Sequence, residues 1–397
     1  MTRTLLCKAR LIDGTGRAPL VDHDILIEDG KIARVAPCGD VSADGASVVE
    51  LEGATVIPGL VNMHVHLRGG GTRGVEEPDD IALLRASRNV RASLSWGVTT
   101  LRDAGSTERL SQTIRDAVAA GLIAGSRVVS AGRIITTSAG HGWRRGVRAD
   151  DAAELRKAVR FNVEEGVDTI KIAATGGGGT PGSNVGAPQY TAEELEVAVY
   201  EAHRLGKRVL VHCNGAAGTR NAVAAGVDTI EHIGWMGADG RLEVDEAVIA
   251  GMIAKDITVV PTMSVWYRQG YDDWASLSAD QKKMRAVRHE RTAAWAAMHR
   301  AGVRFATGTD TWDPIGRELE LFVSEMKLTP MDAIVAATRD SAIGLGLADE
   351  IGTIAVGKAA DIVELDADPL ADIANVRRVR RVWKAGVLAV DGGVVLN

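Results

Sequence analysis

The chain is poor in cysteine, with only Cys7, Cys38 and Cys213 among 397 residues and no paired spacing. Three such thiols cannot build a disulfide framework, and they fit a reducing, cytoplasmic setting. No stretch approaches the roughly 18 consecutive apolar residues of a membrane-spanning helix. The segment from Met1 to Lys8 also lacks the apolar core of about 7–15 residues that a signal peptide needs. Neither sign of charge dominates, since 46 basic and 52 acidic residues leave a net charge of −6. Without a basic stripe or tail, nucleic acid is not the expected partner. The densest basic group (Arg377, Arg378, Arg380, Arg381) alternates with valines and reads as the solvated face of a strand. Aromatic residues amount to 4%, so the places where they fall carry information.

Apolar residues, by contrast, make up 46% of the chain, enough for a large core and one barrel with an accessory domain. Both ends are β-rich. Ile25 to Val35, with Asp29-Gly30 at its centre, reads as a hairpin in which glycine accepts the positive φ of a tight turn. Arg381 to Val390 reads as a second hairpin, and Ala360 to Leu365 as a strand. One β-sandwich domain assembled from residues 1–57 and 350–397 is expected, around a different middle, 58–349.

That middle alternates short apolar strands with helical segments. Strands are expected at 99–103, 127–131, 169–173, 208–212, 228–232, 257–261 and 304–308, and the run from Val56 to His66 supplies an eighth. Between them lie helices such as Ala192 to His203, for which Thr191 is a plausible N-cap. Gly97, Gly166, Gly226 and Gly302 each precede valine and a strand, in the position of a left-handed helix cap. Eight strands alternating with helices give the α/β fold class and a (β/α)8 TIM barrel.

A barrel of this kind carries its function at the C-terminal strand ends. His64 and His66 stand two residues apart at the end of the first strand, on one face of a pleat. Lys171 sits between Ile170 and Ile172 in the fourth, so its ammonium must be buried at a cost of several kcal/mol unless paired. His212 ends the fifth strand, His232 the sixth, and Asp310 follows the eighth. A metal site explains this set better than separate core or capping roles for each residue.

In this order, together with Pro58-Gly59-Leu60-Val61-Asn62-Met63-His64-Val65-His66 and the Gly352–Asp361 return, these residues resemble the amidohydrolase superfamily of metal-dependent hydrolases. The resemblance spans nearly the whole chain. It implies two divalent ions, with zinc the best match to the nitrogen and oxygen donors. His64, His66 and Asp310 would hold the more buried ion and His212 and His232 the more exposed one. Lys171, as a carbamate formed with CO2, would bridge them. The implied chemistry is attack of a metal-bridging hydroxide on an amide carbonyl, with Asp310 as base and then acid.

Within the superfamily, Ile170 to Gly177 and Ser138 to Gly142 resemble the branch of imidazolonepropionase-like proteins, Xaa-Pro dipeptidases and ochratoxin-type amidases. That implies a small-molecule substrate: an N-acyl amino acid, an Xaa-Pro dipeptide or an ochratoxin-like amide. His141 matches a histidine of that branch, which implies a hydrogen bond to the scissile carbonyl or to the carboxylate. The chain departs from the dipeptidase pattern at Trp143-Arg144-Arg145, where an acidic residue is usual. Substrate contacts are expected from His141, Trp143, Arg144, Trp266 and Tyr267. Loops 68–74, 176–184 and 263–268 would form the rim. Trp143, Trp235, Trp266 and Trp312 near strand ends suggest a pocket for an apolar or aromatic group. Members of the superfamily commonly form homo-oligomers, so one is implied here. The alternatives are a mononuclear deaminase or cyclic-amide hydrolase, and an esterase or lactonase using the same site.

Overall fold

A computed structural model describes residues 2–69, 77–266, 277 and 279–396, with the backbone alone at Trp266 and Asp280. Both ends of the chain enter one nine-stranded sheet. Its centre is a splice: Ile362–Leu365 pairs antiparallel with Thr55–Pro58 on one side and with Val379–Lys384 on the other. Thr55–Pro58 in turn runs parallel to Arg3–Leu11. The two hairpins form as their turn residues predict. Asp29-Gly30 joins Leu20–Glu28 to Lys31–Pro37, and Ala385-Gly386 joins Val379–Lys384 to Val387–Asp391. All four turn residues have positive φ, the twist that suits a two-residue connection. Arg381 departs from the expected solvated face. It packs against the buried Glu364, while Arg380 beside it is half-exposed.

The apolar run from Val56 to His66 is not one strand. It breaks at Gly59, with Thr55–Pro58 in the terminal sheet and Leu60–Val65 in the barrel. The break needs glycine for space, because a Cβ there would lie 2.1 Å from Thr99 Oγ1. The apolar content is continuous because both halves are buried, so composition alone conceals the change of sheet.

The barrel strands are Leu60–Val65, Val98–Asp103, Arg127–Ser130, Thr169–Ala173, Arg208–Gly215, Thr229–Met236, Thr258–Val260 and Arg304–Phe305. The first three pair in parallel, as do the last five. The circle closes where Met63 N–H donates to Thr307 O and Asp168 N–H donates to Ser130 O, each at 2.8 Å. The result is a (β/α)8 barrel. Gly97, Gly166, Gly226 and Gly302 all have positive φ before their strands, the cap geometry their spacing implies.

Helix Ala192–Arg204 shows why the outer layer forms. Thr191 Oγ1 accepts from Glu194 N–H and the Glu194 carboxylate accepts from Thr191 N–H, a capping box. Leu195, Ala198, Val199 and Ala202, at helical spacing, are buried against the barrel. On the strands, Ile170 and Ile172 join that same outer core while Lys171 faces the barrel interior. Among the described residues no helix is long and apolar enough to cross a membrane.

Candidate metal centre

His64, His66 and Asp310 converge at the C-terminal mouth of the barrel, with ligand atoms within 4.8 Å of one another. Hydrogen bonds set which nitrogen each imidazole offers. His64 Nδ1 lies 2.6 Å from Glu231 Oε2, and His66 Nδ1 lies 2.9 Å from Gly105 O. Both partners accept, so each Nδ1 carries the proton and each Nε2 keeps a lone pair. Those two Nε2 atoms lie 3.7 and 3.4 Å from Asp310 Oδ1.

His212 and His232 complete the cluster, with ring centroids 4.6 Å apart and His232 5.0 Å from His64. His232 Nδ1 meets Thr262 Oγ1 at 2.7 Å, which leaves Nε2 for a ligand. His212 is turned the other way. Its Nε2 lies 3.1 Å from Gly176 O and 2.9 Å from the Asn214 side-chain amide, which leaves Nδ1 as the nitrogen open to a ligand. Burial, and then the nearby charge of Lys171, keeps His64 neutral by pushing its pKa well below the usual histidine value. His232 is lowered to about 4, chiefly by burial.

Asp310 behaves in the opposite sense. Burial alone would raise its carboxyl, but the closeness of His66, and then of His64 and His232, outweighs it and holds the group well below the usual carboxylate range. Lys171 Nζ is buried and has no hydrogen-bond partner. Burial lowers its pKa to about 8, with Glu231 and Asp310 pulling the other way. An unpartnered amine beside four metal-competent imidazoles and a carboxylate fits a divalent-metal site, since the missing partner is one that the protein itself does not supply.

A cavity of about 260 Å3 opens onto these groups. His64, His66, Lys171, His212, His232 and Asp310 all line it, as does His141. His141 stacks on His212 with centroids 4.1 Å apart. Thr180 Oγ1 accepts from Gly142 N–H, so its own hydrogen is free to reach His141 Nδ1 at 3.0 Å. Burial keeps the His141 ring neutral, with its pKa lowered to about 4.

The aromatic expectations fare differently. Trp235 is fully buried in the core and does not line the cavity. Its strand carries it inward past a backbone bend, which loop position alone does not reveal. Trp312 donates its indole N–H to His66 O at 2.7 Å and so braces the backbone at His66. Trp143 lines a neighbouring cavity, with the Arg144 guanidinium 5.5 Å from its ring centroid. Trp266 ends the turn Met263–Trp266, its side chain outside the described residues, and Tyr267 lies outside them altogether. Of the rim loops, residues 70–76 are likewise outside, whereas Gly178, Gly179 and Val265 line the cavity.

Two further residues escaped the reading of the sequence. Glu231 and Arg102 form a buried ion pair at 2.7 Å directly behind His64. Arg102 is anchored by Met63 O at 2.8 Å, and Glu231 also accepts from Thr229 Oγ1. A regular pleat would send Glu231 and His232 to opposite faces. Positive φ at His232 (71°) and Ile233 (40°) bends the strand so that both reach the interior. The detectable signal was a glutamate within an otherwise apolar barrel strand.

The amidohydrolase family profile matches residues 55–389. Ochratoxinase from Aspergillus niger is 30% identical over an alignment covering 98% of this chain and 87% of the relative. The crystal structure of that ochratoxinase superposes with a TM-score of 0.88 at 28% identity, covering 99% of this chain and 96% of the other. A Xaa-Pro dipeptidase with methionine bound in its active site superposes with a TM-score of 0.87 at 28% identity, covering 98% and 99%. Imidazolonepropionase from Micrococcus luteus is 26% identical, with 98% of each chain covered. This chain belongs to the amidohydrolase family and is a hydrolase of carbon–nitrogen bonds.

Proposed function

We propose that the enzyme cleaves an amide attached to a carboxylate-bearing fragment: an N-acyl amino acid, an Xaa-Pro dipeptide or an ochratoxin-like amide. It does so with two divalent ions, zinc by donor type, and a carbamate on Lys171. The observation that carries this reading is the buried Lys171 amine without a partner. In its neutral form that amine adds CO2 and releases a proton, replacing a poorly placed ammonium with an anionic oxygen donor. His64, His66 and Asp310 would hold one ion, His212 and His232 the other, and Lys171 would serve both.

When bound, the ions supply Lewis-acid polarisation of the scissile carbonyl and a water that is acidic near neutral pH. The chain supplies the rest. Asp310 turns Oδ1 toward the two imidazoles, leaving Oδ2 to take the proton of the attacking water. The same oxygen returns that proton to the amide nitrogen, because an amine leaves readily only when protonated. His141 Nε2–H donates to a substrate oxygen, and the stack on His212 fixes its direction. Ile134, Val265 and Met284 form the apolar wall against which the rest of the substrate packs.

The test is metal content and turnover measured on one sample. Two ions per chain, hydrolysis of N-acyl amino acids or Xaa-Pro dipeptides, and loss of both in Lys171→Ala are expected. One ion per chain with activity surviving Lys171→Ala would instead favour a mononuclear deaminase or cyclic-amide hydrolase. Turnover of lactones or esters but of no amide would move the substrate class.

A further inference from the structure

The helix Gly316–Ser324 follows the loop of Asp310 and carries Glu318 in its first turn, fully buried. Among the described residues, every donor to this carboxylate comes from the turn Met263–Trp266 after the seventh barrel strand. Met263 N–H donates to Oε1 at 2.7 Å. Ser264 donates to Oε2 through its N–H at 2.7 Å and its hydroxyl at 2.6 Å. No cation among the described residues pairs with Glu318, and burial pushes its pKa up to about 7 despite these bonds. A carboxylate buried without a counter-ion is unfavourable in itself, so what it holds in place is informative.

The turn joins two sides of the metal pocket. Just before it, the buried Thr262 has a φ of 51°, a left-handed conformation that a β-branched residue rarely adopts. In that conformation Thr262 Oγ1 lies 2.7 Å from His232 Nδ1, the ring nitrogen that is not left for a ligand. Just after the bound N–H groups, Val265 lines the cavity as part of its apolar wall. Met263 and Ser264 open the turn, where no carbonyl of the turn itself can accept from their N–H groups. A strained residue such as Thr262 persists only where its surroundings over-determine it. Here the anchor on its C-terminal side is a single carboxylate, supplied by the helix after the eighth strand.

We propose that Glu318 is a positioning residue of the metal pocket: it locks the turn after the seventh strand so that Thr262 orients His232 and Val265 stays against the substrate. Glu318 acts through Met263 and Ser264. The effect on His232 follows from these contacts alone, whereas the consequence for turnover rests on the two-ion amidase reading above.

The test uses Glu318→Gln, which keeps the shape of the side chain but turns an N–H edge toward the turn's own donors. Thr262→Val, which keeps the β-branch and removes Oγ1, and the double variant complete the set. In metal-free protein labelled with 15N-histidine, the His232 ring signals are identified by their loss in His232→Gln. They are expected to move in both single variants. Competition with a chelator shows one zinc ion held about 10–100-fold less tightly in each. The double variant loses no more affinity than Thr262→Val, because one residue acts through the other. With zinc saturating, KM for methionyl-proline rises about fivefold in Glu318→Gln and stays at the wild-type value in Thr262→Val, whose turn is still anchored. Unmoved His232 signals in Glu318→Gln, additive losses of zinc affinity, or the same KM in both single variants would overturn the assignment. A lowered unfolding midpoint with His232 signals and zinc affinity unchanged rejects it too, leaving Glu318 a role in stability alone. If the wild type holds one ion or cleaves no amide, the amidase reading fails, and the His232 signals still decide this proposal.

Discussion

Replacing Glu231 with glutamine removes one negative charge from the barrel interior while keeping the shape of the side chain. The Glu231 carboxylate is fully buried and accepts from three donors: His64 Nδ1 at 2.6 Å, Arg102 Nη2 at 2.7 Å and Thr229 Oγ1 at 2.8 Å. In Glu231→Gln the Arg102 guanidinium, itself 2% exposed, is left without a counter-charge. Stranding one member of a buried ion pair costs about 3–5 kcal/mol. A second loss is separate, because the amide no longer fixes the His64 tautomer. Removing such an outer partner typically weakens metal binding about 10–100-fold, or about 1.4–2.8 kcal/mol. The two effects divide cleanly in the double variant Arg102→Met/Glu231→Gln, which has no stranded charge and still lacks the carboxylate. Urea unfolding of the metal-stripped proteins is expected to show a large drop for Glu231→Gln and recovery of most of it in the double variant. Zinc affinity, read by competition with a chelator, stays low in both. A wild-type unfolding midpoint for Glu231→Gln, or wild-type zinc affinity in the double variant, would refute the reasoning.

Other outcomes follow from single contacts. Gly177→Ala builds a Cβ 2.4 Å from His141 Nδ1, so kcat falls while zinc content, measured by elemental analysis, holds at the wild-type value. Gly59→Ala brings a methyl against Thr99 and lowers the unfolding free energy by about 1–3 kcal/mol; Thr99→Ala in the same chain restores part of the loss. Arg160 and Arg204, through hydrogen bonds, lower the Glu201 carboxyl from 4.5 to about 2. A depressed carboxylate contributes stability that is complete above the unfolded value and disappears as pH falls to the folded one. The stability gap between wild type and Glu201→Gln is therefore constant above about pH 5 and closes between about 4.5 and 2 in acid-unfolding curves. Zinc removal by a chelator abolishes amide turnover, and re-addition of zinc with bicarbonate restores it faster than zinc alone.

The metal-competent residues were legible because a barrel repeats one rule eight times. A histidine at one strand end is ambiguous, but His64 and His66 on the first strand, His212 and His232 on the fifth and sixth, and Asp310 after the eighth all fall toward the same end of the barrel. Lys171 stood out because isoleucines on both sides leave its charge no route to water. Glu231 did not, since strand periodicity assigns it to the face opposite His232, and only the left-handed backbone at His232 undoes that assignment. The change of sheet at Gly59 was hidden for a related reason: hydrophobicity reports burial, and both strands flanking the break are buried. Trp235 and Trp312 show the limit from the other side. Trp235 lies within a barrel strand and fills the core, whereas Trp312 follows one and braces His66 O through its indole N–H.

The spliced terminal sheet has a consequence for how the chain is made. Thr55–Pro58 emerges from the ribosome early, but Ile362–Leu365, which pairs with its open edge, follows about 300 residues later. At translation rates of about 5–20 residues per second, that edge waits roughly 15–60 s for its partner. During this interval the nascent barrel must grow from an apolar strand whose hydrogen-bonding groups are unsatisfied, the situation that invites pairing with a neighbouring nascent chain. The split domain thus makes the last stage of synthesis the step that seals the first, and slowing translation between the two segments is expected to lower the yield of folded protein before it affects any property of the finished enzyme.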